Sequence, residues 1–229
     1  FGWRQTWVIT AALLLVPFCL LIWFLLNRRH GDNTARAVLQ TAHAAGQTGQ
    51  AWNRWRVLRD PVIYIILVGI TLPPAVGTLY IFHQLHLVAL KGWDTTFFAA
   101  VFPVLPAATV VTSLLAGSLV DRFGAWRVLP TILVPNVIGC LVLATLASPW
   151  SAPLFLLSFG MTNGLLWPVL CALWAEIYGT MHLGAIRSMA ASLVVAASAL
   201  GPGIAGFLID AGIELDRQGF GYALFGLGA

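Results

Sequence analysis

The sequence predicts an all-α, multi-pass membrane protein, and three observations carry that prediction. Of 229 residues, 59% are hydrophobic and 9% are charged, against roughly 25% charged in a soluble domain. Mean hydropathy is +0.88. Uncharged stretches such as Trp7 to Leu26 and Thr95 to Val120 run for 20 and 26 residues, and about 20 suffice to span the hydrocarbon of a bilayer as a helix.

Taken in order, the spans are Trp7 to Leu26, Pro61 to Leu90, Thr95 to Val120, Val128 to Ser148, Pro153 to Ala175 and Ser188 to Ile209. The uncharged run from Val128 to Ala175, 48 residues, is too long for one crossing. "SPWSAP" at Ser148 to Pro153 divides it, because proline stops helices and Trp sits at the headgroup level. Phe220 to Ala229 opens a further pass with 10 residues, about 15 Å of helix and half a bilayer. A start on Phe1 that runs straight into a span, and an end inside one, lead us to expect a fragment of a longer protein. Three regions follow: a first helix over 1–29, a polar segment over 30–60, and a helical bundle over 61–229.

Arginine placement predicts orientation, since positively charged loops stay on the cytoplasmic side. Arg28, Arg29, Arg36, Arg54, Arg56, Arg59, Arg122, Arg127 and Arg187 fall on one side, and Arg4, Lys91 and Arg217 on the other. The loop over 27–60 is therefore expected in the cytoplasm, with Asp121 on the same face. The net charge of +4 reports topology; the arginines lie in short loops with no aromatic-interleaved basic face, so nucleic acid is not an expected partner. "WNRWRVLRDP" puts Trp52, Trp55, Arg56 and Arg59 at spacings of three and four, which suits a helix lying on the membrane surface among lipid headgroups.

Cys19, Cys140 and Cys171 lie inside apolar spans without paired spacing and read as buried small hydrophobes, with no disulfide and no metal. His83 and His86 lack the Glu and further ligands of a zinc site, so no metal or cofactor is predicted. No serine elbow, no pair of aspartates within spans and no phosphate loop occurs, which argues against an enzyme or an ATP-driven pump.

The stretch "GSLVDRFGAWR", Gly117 to Arg127, places charge in the short turn between two spans. Gly117 lets helices approach, Asp121 ends one span, Gly124 permits the reversal and Arg127 starts the next. A carboxylate at Asp121 can accept bonds from Arg122, Arg127 or the free amides of a neighbouring helix start, forming a latch that holds in one state and releases in another. This stretch resembles the G-x-x-x-D-R-x-G-x-R/K signature of the major facilitator superfamily, which those transporters carry between helices two and three and, in weaker form, between eight and nine. The order of a span, a long polar loop, five spans and a partial span is similar to helices six to twelve of that fold. "WAEIYGTMHLGAIRS", Trp174 to Ser188, and "FHQLHLVALKGW", Phe82 to Trp93, are similar to bacterial members near the monocarboxylate and oxalate/formate porters.

The resemblance implies a secondary active transporter of a small organic solute, such as a monocarboxylate or another organic anion, working by alternating access with proton coupling as the default. It implies an inner-membrane location and a missing N-terminal six-helix half as partner. In the latch it joins Glu176 and Arg187 to Gly117, Asp121, Arg122, Gly124 and Arg127, with Asp121 facing the start of the helix that follows Arg187. The substrate site is implied near the midplane, where counting along the passes places Asn163 and Trp167, four apart on one helix face, offering an amide and an indole donor. Tyr80, His83 and Gln84 are expected toward the outer mouth, where the imidazole either carries a proton or donates a neutral bond to solute. The spans themselves hold no Arg or Lys away from their ends, so a cation for a carboxylate substrate would come from the other half. The alternative is a half-size membrane protein acting as a homodimeric carrier, channel or scaffold.

Overall fold

The computed structural model describes residues 57, 59–179 and 183–228, all within one compact unit, Gly49–Ala229. The span Trp7 to Leu26, Cys19, Trp52, Trp55 and Arg56 lie outside the described residues. Among those described, every regular element is helical: α1 (Pro61–Phe82), α2 (Gln84–Leu90), α3 (Thr95–Val101), α4 (Val104–Phe123), α5 (Ala125–Val128), α6 (Leu133–Thr145), α7 (Ser151–Tyr178), α8 (Leu183–Asp210) and α9 (Leu215–Gly228), with a 3-10 turn at Leu129–Ile132. Among the described residues, five stretches are long and apolar enough to cross a membrane: Pro61–Phe82, Thr95–Phe123, Ala125–Thr145, Ser151–Tyr178 and Leu183–Asp210. They coincide with the five passes that the sequence predicts from Pro61 onward.

Local chemistry sets the boundaries. Asp60 precedes α1 and its carboxylate accepts the Val62 N–H at 3.1 Å, while Pro61 fills the first helical position, where no N–H is needed. Asp94 caps α3 in the same way through the Phe97 N–H at 3.0 Å. Two expected passes are interrupted. Pro61 to Leu90 breaks at His83, whose N–H and whose ring Nδ1 both bond the Leu79 carbonyl, at 3.0 and 3.1 Å. Thr95 to Val120 breaks at Phe102 and Pro103, because proline has no N–H to continue the ladder.

Long-range bonds show that the helices alternate up and down. Tyr178, at the end of α7, donates to Asp60 Oδ2 at 3.2 Å, and Glu176 meets the start of α5, so these termini share one end of the bundle. At the other end, Lys91 Nζ donates to the carbonyl of Leu143 at 2.5 Å, where its positive charge suits the α6 C-terminus, and His86 Nε2 lies 3.0 Å from Glu214 Oε2. Two apolar clusters follow this division. One includes Ile63, Ile66, Val128, Leu173 and Ile186; the other includes Leu79, Leu87, Phe155, Leu156 and Leu215.

Lipid tails are as apolar as leucine, so helices associate through close backbone contact at small residues. The tightest seam joins α4 and α7. A Cβ at Gly164 would lie 2.6 Å from the Thr109 carbonyl oxygen, and one at Gly160 would collide with the Leu105 carbonyl. Thr109 Oγ1 adds a bond across this seam to the Gly160 carbonyl at 3.1 Å. Gly201 similarly seats α8 on the Ala75 carbonyl of α1, and Gly77 seats α1 on the Phe159 ring of α7.

Candidate functional site

The turn between α4 and α5 is built on Gly124, whose φ of 82° favours a residue without a Cβ. Beside it, Glu176 Oε2 accepts the Ala125 N–H at 2.7 Å, and a Cβ on Gly124 would stand 3.2 Å from Glu176 Oε1. A carboxylate on the first free amide of a helix satisfies an orphan donor and complements the positive end of the helix dipole. Here Glu176 bonds the helix start. Asp121 is exposed on the last turn of α4, and among the described residues it makes no hydrogen bond or ion pair, including to the start of α8, where it was expected to face. Its position explains this, since the chain reverses after it and the amides that the turn frees lie beyond Gly124. Arg122 stacks over the Phe123 ring with 5.4 Å to its centroid, Arg127 is exposed, and Arg187 sits half-buried in the first turns of α8.

Around α7 each residue advances by about 100°. Phe159 marks the side that meets α1, and Gly160 and Gly164 mark the side that meets α4. Asn163 and Trp167 fall between them, in the gap between α1 and α4. Trp167 is 55% exposed, and Asn163, half-buried, spends one amide N–H on the Phe159 carbonyl of its own helix at 3.0 Å. Its other N–H and its carbonyl oxygen have no partner among the described residues, so they remain for another group. The exposed residues Leu154, Leu157 and Met161 occupy the opposite flank of α4, toward α6, which packs on Ser158 and Phe155 through Gly139. The α7 helix thus presents a polar strip on one side of α4 and an apolar strip on the other.

Cys171 is exposed two turns beyond Asn163, while Cys140 is buried. The expectation of a buried small hydrophobe therefore fails for Cys171, which lies seven residues beyond Gly164 on the same face of α7 but is not covered there. Tyr80 also departs from its expected place at an open mouth. It is 3% exposed, stacks edge-on against Phe155 at 5.0 Å, and its hydroxyl has no hydrogen-bond partner among the described residues. His83, half-buried at the break after α1, donates from Nδ1 to Leu79, which makes Nε2 of a neutral ring an acceptor; that atom faces Gly206 of α8, 3.7 Å from where a Cβ would stand. Gln84 begins α2 half-buried.

Two polar features went unnoticed in the sequence. The Asp60–Tyr178 bond ties the start of α1 to the end of α7; the "DP" capping signal marks Asp60, but nothing local marks its distant partner. Asn136 on α6 is 2% exposed, and neither polar side-chain atom has a partner among the described residues, a costly placement that an Asn within an apolar run can signal.

The chain compares with known families in one respect. A family model described as Major Facilitator Superfamily matches residues 1–202 of the 229. No curated protein matches the chain. The five apolar spans, the glycine-set turn carrying Asp121 and Arg122, and this match over most of the length lead to one conclusion: the chain is a multi-pass membrane protein that belongs to the major facilitator superfamily, a transporter of the major facilitator type.

Proposed function

We propose that this chain forms helices six to twelve of a secondary active transporter that moves a small organic solute across the inner (plasma) membrane, rocking against an N-terminal six-helix half. The observation that carries the proposal is the polar strip on α7. An amide and an indole stand near the middle of a 28-residue helix, 61% of whose most apolar stretch is buried. Polar side chains at such depth face a cavity or the bundle interior.

In this reading Asn163 offers an N–H and an oxygen to the solute, and Trp167 supplies an indole donor and a flat apolar wall. His83 and Gln84 stand toward the outer end, and Tyr80 supports them from the core without touching solute. A monocarboxylate or related organic anion fits two neutral donors at Asn163 and Trp167, with a cation contributed from the other half. Symport with protons is the default coupling.

At the opposite end, which we place in the cytoplasm with the loop over 27–60, Glu176 holds the Gly124 turn. Asp121, Arg122 and Arg187 are left for groups on the other half, so the latch closes between halves rather than within this one. Uptake of radiolabelled monocarboxylates into vesicles containing the full-length protein tests the proposal. Accumulation that collapses with the proton gradient is expected, and no uptake of any organic anion in either condition would overturn the substrate class.

A further inference from the structure

On the apolar side of α4 lies a groove of about 450 Å³, lined by Thr112, Leu115, Leu119 and Phe123 of α4, by Met161 and Leu165 of α7, and by Arg127, Val128 and Thr131 beyond the turn. Thr112, Val128 and Leu165 are buried and form its floor, while Leu115, Phe123 and Arg127 are exposed along its rim. We propose that this groove holds one acyl chain of an anionic phospholipid, with its phosphate at Arg127.

Three features of the groove support that occupant. From Thr112 to Phe123 the wall rises through eleven residues of helix, about 16 Å, which matches one leaflet of a hydrocarbon core about 30 Å thick. The volume suits a single chain. A helix about 10 Å across would displace on the order of 1,000 Å³ over that length, so it could rest across the rim but not enter.

Charge is the third feature. Arg127 lines the groove at the end where the bundle meets the headgroups, and Arg122 stands on the neighbouring last turn of α4. Among the described residues no carboxylate lines the groove; Glu176 is engaged by the Ala125 N–H, and Asp121 lies outside the lining. A guanidinium forms bidentate bonds with phosphate, and the exposed Trp126 beside it, 48% accessible, is a residue type that settles at the headgroup level. The zwitterionic alternative, phosphatidylcholine, brings a positive choline toward the same arginines. This site is separate from the polar strip on the other flank of α4, so its occupancy does not depend on which solute is carried.

The test is native mass spectrometry of the purified full-length protein titrated with phosphatidylglycerol or with phosphatidylcholine of the same chains. About fivefold greater retention of phosphatidylglycerol is expected, the effect of one arginine near an anionic headgroup, and Arg127→Gln should abolish the preference. Met161→Trp, which fills the deep end of the groove, should lower retention of both lipids. Equal retention of the two lipids by the unsubstituted protein, or an intact preference in Arg127→Gln, overturns the proposal. Should Arg127→Gln not fold, undiminished phosphatidylglycerol retention in Met161→Trp overturns it equally, and so does the absence of any retained lipid.

Discussion

The two unpacked strips of α7 sit on either side of one packed helix and differ in chemistry. Between α1 and α4 the helix shows Asn163 and Trp167; between α4 and α6 it shows Leu154, Leu157 and Met161. The seam that separates them is made of glycine against backbone, at Gly160 and Gly164. Exposure alone would not tell lipid-facing from cavity-facing surface here, since Trp167 and Met161 are both accessible. Their side-chain chemistry on opposite flanks of α4 does. An amide directed at lipid would go unsatisfied at a cost of several kcal/mol, so the strip that carries one faces a different medium from the strip that carries none.

Removing the seam should have the largest effect. Gly164→Leu drives a side chain into the Thr109 carbonyl and the Thr112 side chain, backbone and packed neighbours that cannot yield, so α4 must move away. We expect a loss of about 3 kcal/mol or more, seen as a collapse of folded yield and of thermal stability in detergent. Gly203→Leu on α8 is the control, because nothing lies within 4 Å of its Cβ position, and it should leave both nearly unchanged.

Asn163→Leu sharpens the comparison by making both strips apolar. The substitution breaks only a bond to its own helix, so folded yield should persist while uptake falls about tenfold, the worth of one hydrogen bond to a bound solute at about 1.4 kcal/mol. Uptake equal to that of the unsubstituted protein would remove Asn163 from the solute path. A smaller effect is expected from Glu176→Gln, which exchanges a charged acceptor at the α5 start for a neutral one. About 1 kcal/mol of local stability should go, read as hydrogen exchange about fivefold faster at the Ala125 amide with the rest of α7 unchanged.

Much of the architecture was legible because a membrane imposes length and polarity together. Five spans from Pro61 and the reversal at Gly124 follow from runs of apolar residues bounded by Pro, Asp and Gly. The breaks at His83 and Pro103 were less so, since each depends on how a carbonyl one turn back is shared. Position along a helix could be counted, which placed Asn163 and Trp167 near the middle; azimuth could not be, because it depends on which neighbour packs where. That is why Tyr80, one turn beyond Val76, was expected at an open mouth but lies against Phe155, and why Cys171 was expected in the core. The Gly160-x-x-x-Gly164 pair was present in the sequence as a small-residue signature, and it identifies the packed face of α7 from which both strips can be assigned. The choice of Glu176 over Asp121 at the Ala125 amide needed the fold, as the two carboxylates are 55 residues apart and only the α4–α7 pairing brings one of them to the turn.

The central claim, that the Trp167 strip faces water and the Met161 strip faces lipid, is tested most directly by a pair of cysteines. Trp167→Cys and Met161→Cys would each be placed in the full-length protein with Cys19, Cys140 and Cys171 replaced by alanine, and treated in membranes with a charged thiol reagent that stays in water. The thiolate is the reacting species and needs an aqueous setting to form. Cysteine at 167 should react far faster than cysteine at 161, at a rate that changes when solute is added; equal rates, or faster reaction at 161, would contradict the assignment of the two strips.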